Sequence, residues 1–89
     1  MKSIATERFW RSYETLPPRV QHRAQSIYRL WQADSFHPSL DFKQVHARRP
    51  IFSVRIGLGW RALGVRDGET MVWFWIGSHA DYDKLLTRL

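Results

Sequence analysis

Apolar residues recur at helical spacing in the first third of this chain and at every second position through most of the rest. Phe9, Trp10, Tyr13 and Leu16 define a short amphipathic helix over residues 6–16. Pro17-Pro18 ends it, because proline lacks the N–H that would continue the hydrogen-bond ladder, while its fixed φ makes Pro18 a good first residue for the next helix. That second helix is predicted to run to about Ala33, with Val20, Ala24, Ile27, Leu30 and Trp31 on one face and His22, Gln25, Ser26 and Arg29 on the other. Asp34 to Ser39 is a turn-rich break, after which the period changes to two. Leu40 and Phe42 suggest a first strand ending near Val45, Phe52-Val54-Ile56 a second, Trp60 to Val65 a third and Met71 to Ile76 a fourth. Asp67-Gly68 is a two-residue hairpin signal, since both residues tolerate positive φ. Ser78 followed by Asp81 reads as the capping box of a last helix, anchored by Leu85, Leu86 and Leu89.

The expected fold is therefore α+β: an N-terminal helical hairpin on a four-stranded, mainly antiparallel sheet, with a short C-terminal helix, in one domain over residues 1–89. Pairing across the Asp67-Gly68 turn sets Ala62 opposite Trp73 and Trp60 opposite Trp75. Trp60, Trp73, Trp75, Phe52, Val54 and Ile56 would then lie under the hairpin, and Arg61, Leu63, Val72, Phe74 and Ile76 on the other face.

With 89 residues the domain is small, and one of this size buries only about 60–65% of its unfolded surface, so the core must draw on its aromatic residues or on a partner. The absence of cysteine excludes disulfides and thiolate metal sites and is compatible with a cytoplasmic location. No segment approaches a membrane span or the apolar part of a signal peptide, so no membrane partner is expected. The charge is the less ordinary property: +6, from 14 Lys and Arg against 8 Asp and Glu, most of it from arginine. The planar guanidinium fork suits phosphate, so nucleic acid or an acidic protein is the expected partner.

Two arginines, Arg55 and Arg61, occupy adjacent predicted strands. They share a face if the Gly57-Leu58-Gly59 loop has three residues and lie on opposite faces if it has two. Side by side they repel unless an anion lies between them. His79 stands where the last strand ends, with Tyr82 on the same helical turn. An imidazole there can move a proton near neutral pH, and a phenol can stack on a base or donate to a phosphate. Lys43, His46 and Arg48 lie on or just after the first strand and are candidate substrate-binding groups. Cations beside a titratable imidazole suit phosphodiester chemistry, in which charge is stabilised while a proton moves. No histidine pair has metal-ligand spacing and no glycine loop is built to cradle phosphates, so neither metal nor cofactor is expected.

Taken in order, Leu16-Pro17-Pro18 with a following helix, His37-Pro38-Ser39-Leu40 leading to Phe42-Lys43, Ser53-Val54-Arg55-Ile56, Trp60-Arg61-Ala62-Leu63 and the His79 to Tyr82 ending resemble the RelE/ParE superfamily of bacterial toxins, the toxic halves of type II toxin–antitoxin pairs. The resemblance is greatest to the ribonuclease branch. It implies a metal-independent endoribonuclease that cuts mRNA in the ribosomal A site and inhibits translation, partnered by an acidic antitoxin. It assigns Lys43, Arg55 and Arg61 to the scissile phosphate and His79 and Tyr82 to proton movement, with the ribose 2′-hydroxyl attacking the adjacent phosphorus. Some members carry a glutamate base just before the lysine. Here the segment reads Ser39-Leu40-Asp41-Phe42-Lys43, which leaves Asp41, His46 and His79 as alternative bases. A gyrase-directed toxin and an inactive antitoxin-binding module are the alternatives. The terminal His and Tyr favour the ribonuclease.

Overall fold

Thr6 starts the first helix: its Oγ1 accepts from the Phe9 N–H at 3.1 Å, which satisfies a donor that has no partner within the helix. In the computed structural model, which describes residues 1–89, this helix is α1 (Glu7–Glu14). α2 (Pro18–Ala33) begins at Pro18 as the fixed φ of proline dictates. Val20, Ala24 and Trp31 are its buried residues, and they face the sheet. Trp31 is the keystone of this contact: it meets Trp73 edge-on at 5.3 Å and Phe42 edge-on at 5.8 Å.

The sheet has five strands: β1 (Lys2–Ala5), β2 (Lys43–Gln44), β3 (Ile51–Arg55), β4 (Trp60–Asp67) and β5 (Thr70–Ser78), in the order β1-β5-β4-β3-β2. All neighbours are antiparallel except β1 and β5, which run parallel with Lys2 opposite Thr70 and Ala5 opposite Trp73. The sequence reading of four strands is thus short by one. β1 has a single large apolar residue, Ile4, and that residue is exposed, so its pattern carries no signal. The first predicted strand is also shorter than expected. Pro38–Leu40 forms a 3₁₀ turn, and Asp41 follows it in the left-handed conformation at φ 44°, leaving only Lys43–Gln44 to pair with β3.

The β4–β5 hairpin turns one position later than predicted, with Asp67 opposite Thr70. Leu63 pairs with Trp75 and Gly64 with Trp73, so Phe74 is an extra residue and the strand carries a β-bulge. A Cβ on Gly64 would lie 2.7 Å from the Met71 methyl and 2.9 Å from the Trp73 ring, so the bulge needs glycine at this point. The bulge exchanges the faces of two residues. Trp75, expected under the helical hairpin, packs instead with Leu63, Phe74 and Tyr82, while Ile76 joins the main core with Val54, Ala62 and Trp73.

α3 (His79–Leu86) closes the second face. Ser78 Oγ accepts from the Asp81 N–H at 3.2 Å, the cap expected from the sequence, and Leu85, Leu86 and Leu89 pack with Tyr82 over Ile51 and Leu63. No helix is long and apolar enough to cross a membrane.

Candidate active site

The register of β3 against β4 places Arg55 directly opposite Arg61, with Ile56 N–H donating to the Trp60 carbonyl at 2.8 Å, so the Gly57-Leu58-Gly59 loop has three residues. Lys43 is opposite Ser53, and alternation therefore puts Lys43, Arg55 and Arg61 on one face of the sheet. The two arginines differ in burial. Arg61 is 6% exposed and turns inward beneath α3. It donates from Nη1 to Ser53 Oγ at 3.0 Å and from Nη2 to Asp41 Oδ2 at 2.6 Å, and its guanidinium carbon lies 5.4 Å from the Tyr82 ring centroid. Its Nε has no partner. Lys43 reaches the same Asp41 oxygen at 3.4 Å. Arg55, half-buried at the end of β3, is also among the residues bordering a cavity beside the Gly57–Gly59 loop.

His79 is the first residue of α3, and its N–H donates to the Gly59 carbonyl at 2.8 Å, tying the helix to the β3–β4 loop. Its Nδ1 is 3.2 Å from Asp83 Oδ2, one helical turn on. With the carboxylate accepting from Nδ1, the imidazole presents Nε2 as a free acceptor. The ring stands edge-on to Tyr82 at 5.4 Å. Tyr82 itself is buried and separates His79 from Arg61, so its ring serves first as a wall for one and a floor for the other. Asp83, His79, Tyr82, Arg61, Asp41 and Lys43 thus form one contiguous line.

Two of the candidate bases are already committed. Asp41 is held below its ordinary value near 3.8, foremost by the Arg61 hydrogen bond and further by Lys43, against an opposing effect of burial. A carboxylate so stabilised is a poor proton acceptor. His46 Nδ1 accepts from the N–H groups of Arg48 and Arg49 at 3.1 and 3.0 Å, which leaves the proton on Nε2, 3.1 Å from the Leu89 carbonyl oxygen. His46 therefore fastens the β2–β3 loop to the end of the chain. Arg48 lies in that loop, at the opposite end of the hairpin from Arg55, so the structure does not bring His46 and Arg48 to the Lys43–Arg61 line. Sequence reasoning missed Asp83. Its place four residues after His79 on a helix was the available signal. No group of three or more His, Asp or Glu side chains converges as metal ligands would.

A model of the ParE-like toxin domain matches residues 18–84. The chain belongs to the ParE-like toxin family. It is a toxin of a toxin–antitoxin system within the RelE/ParE superfamily. Solved structures share its fold at low sequence identity. The RelB–RelE antitoxin–toxin complex from Methanococcus jannaschii has a TM-score of 0.75 at 16% identity, over 92% of this chain and 96% of that one. YafQ from E. coli has a TM-score of 0.72 at 7% identity, over 91% and 96%. The YoeB/ParE toxin from Agrobacterium tumefaciens has a TM-score of 0.67 at 18% identity, over 89% and 99%. No curated protein matches the sequence significantly.

The Asp41 bridge makes the toxin's stability pH-dependent. Because the folded-state value is depressed, the carboxylate stabilises the fold above its unfolded value, and this contribution is lost as pH falls through the lower folded value. The melting temperature is expected to drop below about pH 4, and Asp41→Asn should be less stable at pH 7 with a smaller loss in acid. Circular-dichroism melts across the acid range check this. An unchanged acid profile in the variant would remove Asp41 as its source.

Proposed function

We propose that this toxin is a metal-independent endoribonuclease that cuts mRNA in the ribosomal A site and is silenced by an acidic antitoxin. The observation that carries the reading is the His79 imidazole, oriented by Asp83 and separated from the buried Arg61 guanidinium by one tyrosine ring. With Asp41 and His46 committed elsewhere, His79 is the imidazole left to accept a proton.

In the proposed reaction His79 Nε2 takes the proton of a ribose 2′-hydroxyl, whose oxygen attacks the adjacent phosphorus. The 2′-oxygen–phosphorus bond forms, the bond to the 5′-oxygen breaks, and that oxygen leaves protonated by water. The products are a 2′,3′-cyclic phosphate and a 5′-hydroxyl. Lys43 and Arg55 stabilise the charge on the pentacoordinate phosphorus, and Arg61 adds its field from beneath. Asp41 occupies the place between Lys43 and Arg61 that suits an anionic oxygen, so a bound phosphate competes with it or draws Lys43 away from it. The net charge of +6 complements both an RNA backbone and an acidic antitoxin, and the M. jannaschii protein of the same fold is in complex with its antitoxin.

A gyrase-directed toxin is the second reading, favoured by the match to the ParE-like family model. Expression without an antitoxin separates the two. The ribonuclease stops growth with messages cleaved during translation and gyrase active. A gyrase-directed toxin gives DNA breaks with intact messages, and an inactive antitoxin-binding module gives neither.

A further inference from the structure

Arg19 and Arg23 lie one turn apart on α2 and, with Arg55 of β3, line a cavity of about 590 Å³ closed on one side by the Gly57–Gly59 loop. Ser39 and Trp60 complete the polar and aromatic parts of the wall, and no carboxylate is among the lining residues. Every ion pair in the molecule lies elsewhere, so none of the three guanidinium groups is neutralised by a partner side chain.

This arrangement opposes the ordinary preferences of the fold. Arg19 sits in the first turn of α2, where the helix dipole is positive, and that turn has no acidic residue. Cations there are destabilising unless an anion joins them. The loop is shaped around the same group: Gly57 has φ +69°, and a Cβ on it would fall 2.8 Å from Arg23 Cδ. Any other residue at Gly57 would be strained and would require the Arg23 side chain to shift. Two uncompensated guanidinium groups, those of Arg19 and Arg23, with a hydroxyl and an indole in a concavity of this size suit one nucleotide, its phosphate on the two arginines and its base against Trp60. An acidic protein segment would use the charge and leave the indole without a role.

The cavity and the His79 site share a wall. Gly59, whose carbonyl accepts from the His79 N–H, is a lining residue, and Arg55 stands opposite Arg61. We propose that the Arg19–Arg23 cavity is a phosphate-binding subsite for a nucleotide flanking the cleaved bond in the same RNA strand, an inference that rests on the RNA-cleaving reading above.

The test is binding of a short 2′-O-methyl RNA, which lacks the attacking hydroxyl, followed by fluorescence anisotropy over a range of salt. Arg19→Ala/Arg23→Ala is compared with Arg29→Ala/Arg88→Ala, which removes the same charge from exposed positions outside the cavity, after both are shown to melt like wild type. The first pair should weaken binding at least about tenfold and reduce the salt slope by about 0.7–1.4, and the second should change affinity by about twofold or less. Equal losses in the two pairs, no loss in the first, or no RNA binding by wild type would each overturn the subsite. So would a first pair that loses affinity for an acidic antitoxin peptide and keeps it for RNA. The underlying reading fails separately. If His79→Gln cleaves normally while Arg19→Ala/Arg23→Ala loses RNA, the subsite stands and the reaction residues fall. If His79→Gln is inactive and the arginine pair binds RNA like wild type, the subsite alone falls.

Discussion

Replacing Arg61 with alanine is expected to lower the melting temperature by about 10–20 °C, because it removes the buried end of an ion pair and leaves the Ser53 hydroxyl without its donor. Breaking a fully buried pair costs about 3–5 kcal/mol. The Asp41 side chain is 38% exposed, so solvent screening reduces this to about 2–3 kcal/mol. On the fraction that remains folded, cleavage should also fall about a hundredfold or more through the loss of positive charge beneath the phosphate. Arg61→Lys separates the two effects: it keeps the charge and cannot donate to Ser53 and Asp41 through the same rigid fork. Denaturation curves and cleavage rates on the same preparations check this. An alanine variant that melts and cleaves like wild type would show that the buried guanidinium supports neither fold nor chemistry.

His79→Gln should behave in the opposite way, with the fold intact and turnover lost. The side chain is exposed, so its replacement should leave the melting temperature nearly unchanged. Glutamine retains hydrogen-bonding capacity but has no basic nitrogen, and removing a general base typically lowers the rate by about 10²–10⁴-fold. Binding of an uncleavable RNA should be unaffected. Asp83→Asn should give a smaller loss, because it disturbs only the orientation of the imidazole. Single-turnover cleavage beside binding isotherms distinguishes these outcomes. Normal cleavage by His79→Gln would sink the proposed reaction whatever its effect on affinity.

The helical hairpin was readable because Phe9, Tyr13, Val20, Ala24 and Trp31 repeat at helical spacing and Pro17-Pro18 marks the junction. The α3 cap and the Arg55–Arg61 pairing were also within reach, since Ser78 and the two loop glycines leave local signals. The bulge was not. Every residue from Met71 to Ile76 is apolar, so alternation cannot tell which face each side chain takes, and the exchange of Trp75 and Ile76 leaves no trace. β1 escaped because an edge strand paired on one side needs almost no apolar pattern. At the site, the strand pattern allowed Arg61 to stand beside Arg55 but could not show that Asp41, 20 positions earlier in the chain, would claim it. The histidines were separable only by their partners: His46 is saturated by main-chain groups, and His79 keeps one nitrogen free.

The parallel pairing of β1 with β5 has a consequence for synthesis of the toxin. Lys2 finds its partner in Thr70, and β5 lies between β1 and β4 in the sheet, so the first strand made waits for the last. A nascent chain that stops short of β5 lacks the Trp73 ring on which Trp31 packs and has no α3 to carry His79. Long-range closure of this kind is slow and comes at the end of folding. A toxin with this topology has no assembled candidate site until nearly the whole chain has emerged, which gives an antitoxin time to be present when that site first forms.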